Sequence, residues 1–275
     1  MILFGIILVW TALYSFLFYF THLSLWFYFL WVPLSLILAL LTLVLVIWIL
    51  FIYMKRTDPK GKFRHHLLHQ ATELILWCLR IKVTAEGKEN IPSEPFVCYA
   101  NHKSDIDPVA LYYQLHRICT AIGKKSLFSL PVIKQCQPVF GAVPLDRDND
   151  REAAKAIITA IREIKDGMSM IVFPEGGIKS RQTEEMVDLK AGAYRLVTKS
   201  GALLLPATIL GSSKIKTRKF LKKVHIHIIF HAPISKEVYD NHNTQEIGKM
   251  VFDLRVGGQA VFGRQIELPT PCRTD

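Results

Sequence analysis

The first 54 residues of this 275-residue chain contain no Lys, Arg, Asp or Glu, and they hold a single histidine, His22. A segment without charged side chains cannot form the solvated surface of an ordinary globular protein. All 34 basic and 23 acidic residues, and the whole net charge of +11, therefore lie between Lys55 and Asp275. That part has about 220 residues, enough to bury one substantial core. We predict one membrane segment followed by one globular domain.

Paired cysteine spacing is also lacking, since the chain contains no CxxC motif. This excludes a recognisable disulfide framework and a thiolate metal site. Cys98 lies in an apolar run, as a small buried hydrophobic residue does. We expect reduced thiols in a cytosolic environment. The five cysteines are Cys78, Cys98, Cys119, Cys136 and Cys272.

The charge-free segment contains two apolar runs, residues 2–20 and residues 33–54. Each is close to the ~20 residues that a helix needs to cross a bilayer core. The aromatic residues between Trp26 and Trp31 are typical of a membrane interface, and Pro33 suits the first turn of the second helix. A basic cluster beginning at Lys55 predicts that the globular part faces the cytoplasm at the cell membrane. Two full crossings and a hairpin within one leaflet both fit this pattern.

We divide the chain into membrane-anchoring helices (1–54), a basic amphipathic interfacial segment (55–80), a globular domain (81–263) and a tail (264–275). The interfacial segment repeats apolar residues at helical spacing. It also carries three histidines, which no carboxylate or cysteine joins, so packing is favoured over a metal site. These histidines are His65, His66 and His69.

From Ile81 onward, short apolar strands alternate with helices, which is typical of an α/β domain with a largely parallel sheet flanked by helices. The clearest helix is predicted over residues 149–166, where an apolar face repeats and Gly167 follows as a stop signal. Further helices are predicted at 108–116 and 188–199. Strands are predicted at 81–85, 96–100, 118–122, 139–144, 168–173, 202–210 and 224–231.

A histidine and an aspartate follow directly on the predicted strand 96–100, where open α/β sheets place their sites. His102 and Asp107 are separated by four residues, so the carboxylate can fold back and hold the imidazole. The free ring nitrogen could then accept a proton from a hydroxyl group. Asp105 is a competing partner. The spacing alone is unspecific, because a solvated histidine and an N-cap aspartate before Pro108 would also produce it.

Two further segments could bind an anion. Arg147 follows the predicted strand 139–144, and its guanidinium matches phosphate oxygens, although a surface ion pair with Asp146 or Asp148 is the alternative. Glu175 is followed by Gly176 and Gly177, whose backbone N–H groups could approach an anion closely. An ordinary glycine turn is the alternative there.

Five segments taken in order resemble the glycerophospholipid acyltransferases, most closely the bacterial 1-acyl-glycerol-3-phosphate acyltransferases of the PlsC type. They cover most of the chain from Lys88 to Leu210. The segments are NHKSDIDP at 101–108, FGAVPLDR at 140–147, FPEG at 173–176, LKAGA at 189–193 and LLLPATI at 203–209.

The resemblance implies a cytosol-facing α/β acyltransferase domain behind a two-helix membrane motif. It implies that His102 is the general base, oriented by Asp107, and that the acceptor's sn-2 hydroxyl attacks an acyl thioester without an acyl-enzyme. It further implies acceptor binding by Arg147, Glu175 and Gly176, with Arg147 on the phosphate, and Lys125 is matched to a family lysine near the same site. No cofactor or metal is expected, and acyl-CoA or acyl carrier protein would be the co-substrate.

The chain departs from this family after the FPEG segment. The family continues with Thr-Arg-Ser, whereas here Ile178 occupies the arginine position, and Lys179 or Arg181 would have to supply the charge. The acceptor could therefore be another lysophospholipid, glycerol-3-phosphate or an aminolipid. A membrane-tethered lipid-binding protein without activity is the alternative from another class.

Six basic residues follow the predicted strand 202–210 and form either a solvated loop or a contact with anionic lipid, worth about 1 kcal/mol for each residue. Phe220 is the only aromatic residue among them, so no nucleic-acid partner is predicted. The expected partners are membrane lipid, a lysophospholipid acceptor and the acyl donor. The basic residues are Lys214, Lys216, Arg218, Lys219, Lys222 and Lys223.

Overall fold

The chain forms two compact units, one over residues 1–58 and the other over residues 59–275. A computed structural model describes residues 2–19, 28–129, 134, 138–181, 186, 189–220 and 222–265. The predicted connection around His22 and the start of the aromatic stretch at Trp26 lie outside these residues, as do positions 266–275 of the predicted tail.

The N-terminal unit consists of two apolar helices, α1 (Ile2–Tyr19) and α2 (Tyr28–Arg56). They pack together, and the Tyr14 hydroxyl lies 3.2 Å from the Thr42 hydroxyl. In the described part of the chain, one helical stretch, Pro33–Arg56, is long and apolar enough to cross a membrane. The prediction that Pro33 stands in the first turn of its helix is wrong, because α2 begins at Tyr28. An apolar helix tolerates an internal proline when its freed backbone groups find other partners.

The second unit is built on a mixed, mostly parallel sheet, which confirms the predicted fold class. Seven strands of the described chain are arranged in the order β1-β7-β6-β2-β5-β3-β4. All neighbours run parallel except β6 and β7. The strands are β1 (Ile81–Glu86), β2 (Phe96–Ala100), β3 (Cys119–Lys124), β4 (Val143–Leu145), β5 (Ser169–Val172), β6 (Leu203–Leu210) and β7 (Val224–Phe230).

These strand directions define one edge of the sheet, called here the carboxyl edge, at which β2 to β6 all end. Because β7 runs antiparallel to β6 and parallel to β1, both β1 and β7 begin at this same edge. β2 is central and wholly buried. Loops that leave the carboxyl edge are where open α/β sheets hold ligands.

Helices cover the sheet, and α5 (Asp150–Lys165) shows how the sequence specifies them. The Asn149 side chain accepts hydrogen bonds from Arg151 N and Glu152 N and so caps the first turn. Ala160 and Ile164 of α5 are buried in the core with Tyr99 of β2. The helices of this unit are α3 (Lys62–Cys78), α4 (Asp107–Leu115), α5 (Asp150–Lys165), α6 (Arg195–Ser200), α7 (Lys214–Thr217), α8 (Lys236–Tyr239) and α9 (Thr244–Gln265), and 3-10 turns cover Lys88–Asn90, Lys125–Ser129 and Ala191–Tyr194.

Two predicted elements differ in the structure. A strand is expected at 139–144, but β4 begins only at Val143 and ends at Leu145. The first part of the expected strand does not join the sheet, because the Val139 carbonyl accepts a hydrogen bond of 2.7 Å from Arg64 Nε. The helix expected at 188–199 begins as a 3-10 turn and becomes α-helical only at Arg195. Lys190 N donates to Pro174 O at 2.8 Å, which ties the start of this segment to the loop after β5 instead of to a helical turn.

Candidate active site

The loop after β2 is fixed to the neighbouring strand by Asn101. Its side chain donates to Ile209 O and accepts from Ile209 N, both at 2.7 Å. This buried pair of bonds joins the end of β2 to the end of β6. The residue that follows, His102, is thereby held at the carboxyl edge of the sheet.

His102 and Asp107 are hydrogen-bonded, with 3.1 Å between Nδ1 and Oδ2. Asp107 is the first residue of α4, and the same Oδ2 also accepts backbone bonds from Lys103 N at 2.6 Å and Ser104 N at 2.7 Å. The carboxylate is fully buried, whereas 17% of the imidazole is exposed. An Nδ1–H held in this way leaves Nε2 as the ring atom that can accept a proton.

Asp105, the competing partner, lies elsewhere. Its side chain is 84% exposed, and its Oδ2 is 3.8 Å from Arg181 Nη2. Arg181 also donates from Nε to the Lys103 carbonyl at 3.2 Å. Of the two aspartates, only Asp107 therefore orients the imidazole, and Arg181 braces the loop that carries it.

Glu175 lies beneath the same loop and is wholly buried. Its Oε1 accepts a hydrogen bond of 2.9 Å from His102 N, and its Oε2 is 3.2 Å from Lys103 Nζ. Lys103 is buried as completely as Glu175. Buried charges of this kind are tolerated only when they are paired and hydrogen-bonded, so the pair ties the loop after β5 to the loop after β2.

Phe173 provides the wall behind the imidazole. Its ring stacks on His102 with 4.3 Å between the centroids and 22° between the planes. An aromatic face restricts the ring to one orientation and presents an apolar surface next to it. Two independent contacts, one with Phe173 and one with Asp107, therefore fix the direction in which Nε2 points.

Arg147 lies against the glycine turn that follows Glu175. Gly176 and Gly177 have φ values of 71° and 145°, and a Cβ on Gly177 would lie 3.3 Å from Arg147 Nη1. Asp146 pairs with Lys125, and Arg147 forms no hydrogen bond or ion pair with any described residue. Partial burial lowers the pKa of the Arg147 guanidinium, but an arginine remains charged at neutral pH. An unpaired cation thus faces a turn that only glycine can form without strain.

The remaining predicted lysines are on the surface. Lys125 Nζ is 3.0 Å from Asp146 Oδ2, and this hydrogen bond raises the pKa of Lys125 and lowers that of Asp146. This brings Lys125 next to the residue that precedes Arg147 along the chain. Lys179 is exposed after the glycine turn. Every candidate residue therefore follows a strand that ends at the carboxyl edge.

The histidines of α3 pack against α4. His65 Nδ1 is 2.9 Å from the Tyr112 hydroxyl, and His69 stacks on His116 with 4.3 Å between centroids. No group of three or more potential metal ligands comes together within the described ranges. Burial and the neighbouring His69 both lower the pKa values of His65 and His116.

Sequence reasoning missed the roles of Lys103, Phe173 and Asn101. Lys103 and Glu175 are separated by 72 residues, and no local pattern pairs them. Phe173 stood inside a recognised segment, but its contact with the histidine depends on the pairing of β2 with β5. One available signal was a charged residue next to His102 at the end of a wholly apolar strand.

Comparisons with known proteins show to which family the chain is related. A family model described as an acyltransferase matches residues 82–210. The 1-acyl-sn-glycerol-3-phosphate acyltransferase of Bacillus subtilis is 31% identical over 166 residues, which are 58% of this chain and 77% of that protein. A chloroplastic 1-acyl-sn-glycerol-3-phosphate acyltransferase of Arabidopsis thaliana is 29% identical over 182 residues, 64% of this chain, and the chain spans 50% of its length.

A solved structure shares the fold. The crystal structure of the 1-acyl-sn-glycerophosphate acyltransferase PlsC from Thermotoga maritima matches with a TM-score of 0.62 at 23% identity. The match covers 75% of this chain and 81% of that one. The predicted resemblance to PlsC-type proteins is confirmed by these comparisons together.

Proposed function

Because this chain belongs to the 1-acyl-sn-glycerol-3-phosphate acyltransferase family, we propose that it transfers a fatty acyl group from an acyl thioester to the sn-2 hydroxyl of 1-acyl-glycerol-3-phosphate. The product would be phosphatidic acid. The observation that carries this proposal is the hydrogen bond of 3.1 Å between His102 Nδ1 and Asp107 Oδ2 at the carboxyl edge of the sheet. A hydroxyl acceptor needs a positioned base of this kind.

In the proposed reaction, Nε2 of His102 removes the proton of the acceptor hydroxyl as its oxygen attacks the thioester carbonyl carbon. The carbon–sulfur bond then breaks, and the leaving thiolate takes the proton from the imidazolium. Asp107 stabilises the imidazolium and keeps the ring in one tautomer. The arrangement is that of a serine hydrolase triad whose serine is replaced by the substrate hydroxyl, and no acyl-enzyme forms.

The acceptor phosphate is proposed to bind between Arg147 and the glycine turn at Gly176 and Gly177. An unpaired guanidinium can form two parallel bonds to phosphate oxygens, and backbone N–H groups at glycines approach an anion closely. Lys125 and Lys179 would add positive charge at the entrance. Glu175 was also expected to bind the acceptor. Because it is wholly buried and its two oxygens face His102 N and Lys103 Nζ, it is proposed to act indirectly, by holding the loops together beneath the acceptor.

The acyl donor is proposed to be acyl-CoA or acyl carrier protein, with no resident cofactor or metal. The enzyme would work at the cell membrane, with its catalytic domain on the cytoplasmic side. The basic residues that end α2, Lys55 and Arg56, support this orientation.

An assay with an acceptor panel tests the proposal. Membranes that contain the chain receive a labelled acyl thioester with 1-acyl-glycerol-3-phosphate, other lysophospholipids, glycerol-3-phosphate or an aminolipid. We expect phosphatidic acid from the first acceptor, and we expect His102→Ala to slow its formation by about 10²–10⁴-fold. His242→Ala is the control, because His242 bonds only locally, to Val238 O.

Equal rates for His102→Ala and wild type would reject the catalytic assignment. Product from a different acceptor would retain the mechanism and change the substrate. Lipid binding without any product would favour the non-catalytic lipid-binding alternative.

A further inference from the structure

An exposed basic loop connects β6 to β7 over residues 211–223 and is not used by the proposed reaction. From Leu189 to Lys236 the chain contains no Asp or Glu. Lys214, Lys216, Lys219, Lys222 and Lys223 are all exposed, and none pairs with a carboxylate of the described residues. The loop therefore concentrates positive charge that no carboxylate in the described part of the domain neutralises.

The shape of this loop is defined by its own contacts. It begins at Gly211, whose φ is 83° and whose missing Cβ would lie 2.4 Å from the His225 carbonyl oxygen. Arg218 Nη1 donates to Leu79 O at 2.7 Å and to Lys222 O at 3.1 Å, and Lys222 N donates to Lys219 O at 3.0 Å. These bonds close a turn between Lys219 and Lys222 and anchor it to the body of the domain.

Phe220 is carried by this turn and is 95% exposed. A single exposed apolar residue is ordinary on a protein surface. Here, however, the aromatic side chain stands among lysines on an anchored turn. Basic residues together with an exposed Phe form the pattern of segments that lie in the interface of an anionic bilayer.

The loop and the candidate active site share one edge of the sheet. β6 ends and β7 begins at the carboxyl edge, where the loop after β2 carries His102. Asn101 ties the two directly, since it bonds to Ile209 at the end of β6. A surface that presents Phe220 to a bilayer would therefore turn the carboxyl edge, and His102 with it, toward the same lipid.

From these observations we infer that the 211–223 loop is a membrane-contact element that docks the carboxyl edge of the domain on anionic lipid, with Phe220 inserted at the level of the headgroups. The inference rests on the proposed function, in which the acceptor is itself a bilayer lipid. The lysines attract the anionic surface, and Phe220 supplies apolar contact once the loop is there.

Photo-cross-linking tests the contact without any need for activity. The full chain is reconstituted in phosphatidylcholine vesicles with or without phosphatidylglycerol, and Phe220→benzoylphenylalanine is compared with Glu94→benzoylphenylalanine. Glu94 is exposed just before β2 and so lies at the opposite edge of the sheet. We expect lipid adducts at position 220, increased by phosphatidylglycerol, and few at position 94.

A matched pair of charge reversals tests the consequence for catalysis. Lys219→Glu/Lys222→Glu changes the loop, whereas Lys165→Glu/Lys199→Glu makes the same charge change on exposed residues that precede β5 and β6 at the opposite edge. With a long-chain acceptor in anionic vesicles, the loop variant should raise the apparent KM about tenfold or more. With a short-chain acceptor dissolved in water, both variants should match wild type.

The outcomes separate this inference from the proposed function. Equal adduct yields at positions 220 and 94, or equal effects of the two reversals, would overturn the lipid contact. Adducts to acyl carrier protein in place of lipid, with a defect confined to that donor, would overturn it in favour of a protein partner. Absence of product from every acceptor would reject the proposed function, while the adduct yields would still decide the contact.

Discussion

Removing one partner of the ion pair between Lys103 and Glu175 should destabilise the domain strongly. Both side chains are 0% exposed, 3.2 Å separates Nζ from Oε2, and Oε1 accepts the His102 N–H. The substitution Glu175→Gln preserves the shape and retains an amide oxygen for His102 N–H. It leaves the Lys103 ammonium buried without a counter-charge. We therefore expect this isosteric change to destabilise the domain and to loosen the loop that carries His102.

The magnitude follows from the complete burial of the pair. Removing one partner of a buried ion pair costs about 3–5 kcal/mol, because the remaining charge is left uncompensated. For a domain of about 150–250 residues each kcal/mol lowers Tm by about 2–4 °C, so Glu175→Gln should lower it by roughly 10 °C. The measurement is thermal unfolding of the full chain in detergent micelles, followed by near-ultraviolet circular dichroism, together with the acyl-transfer rate at a temperature where both proteins are folded.

Two further variants make this test specific. Lys103→Met combined with Glu175→Gln removes both charges and should recover most of the lost Tm, because a neutral replacement leaves no unpaired ion. Glu152→Gln removes one partner of the exposed pair with Lys155 and should change stability by less than about 1 kcal/mol. If Glu175→Gln behaved like Glu152→Gln, or if the double variant were less stable than Glu175→Gln alone, an unpaired Lys103 charge would not be the cause of the destabilisation.

Three further predictions concern the acceptor, the histidines and the choice of aspartate. Arg147→Ala should lower kcat/KM for the phosphorylated acceptor by about 10–150-fold, which corresponds to the free energy of about 1.5–3 kcal/mol that a hydrogen bond to a charged group contributes. Arg147→Lys should recover part of this loss, because it restores the charge but not the planar geometry. Equal kinetics for wild type and both variants would remove Arg147 from the phosphate site. Burial and the neighbouring His69 lower the pKa of His116 below its ordinary value of 6.5, so the unfolded chain binds more protons there and stability should fall as the pH drops below about 6.5. In the variant His116→Asn, asparagine tolerates the observed φ of 47°, so the backbone should not be strained. The loss of stability on acidification should be smaller in this variant than in wild type, as measured by thermal unfolding from about pH 7.5 to about pH 5.5. The same dependence of Tm on pH in both proteins would contradict this prediction. Asp105→Asn should leave kcat within about threefold of wild type, since Asp105 is exposed and does not touch His102, and a loss like that of Asp107→Asn would show that the wrong aspartate had been assigned.

Much of the fold could be predicted because local patterns decide it. The apolar strand 96–100 and the capped helix after Asn149 both have the expected character, since the periodicity of their apolar residues matches their burial. The shortened strand at Val143 and the 3-10 turn at Ala191 could not be predicted. The backbone just before each element bonds to a residue distant in sequence, Val139 O to Arg64 and Lys190 N to Pro174. Such contacts override local propensity.

The candidate site divides in the same way. The spacing of His102 and Asp107 suggested their contact. The choice between Asp105 and Asp107 depended on the loop before α4, in which Lys103 N and Ser104 N donate to the Asp107 carboxylate. The bond from Glu175 to His102 N requires β2 and β5 to be neighbours, and no sequence pattern specifies that order of strands. The local segments therefore point to the candidate residues, whereas the contacts between segments depend on the strand order and cannot be derived from either segment alone.

His102 and Asp107 should act as one unit on the acceptor hydroxyl, and a double-mutant cycle on kcat/KM measures whether they do. His102→Ala should lower kcat/KM by about 10²–10⁴-fold, and Asp107→Asn should lower it by a substantial part of that factor. Because Asp107 works only through the imidazole, the double variant should be no slower than His102→Ala alone, within about threefold. A double variant whose loss equals the product of the two single losses would show that the two residues act independently, which contradicts the proposed mechanism.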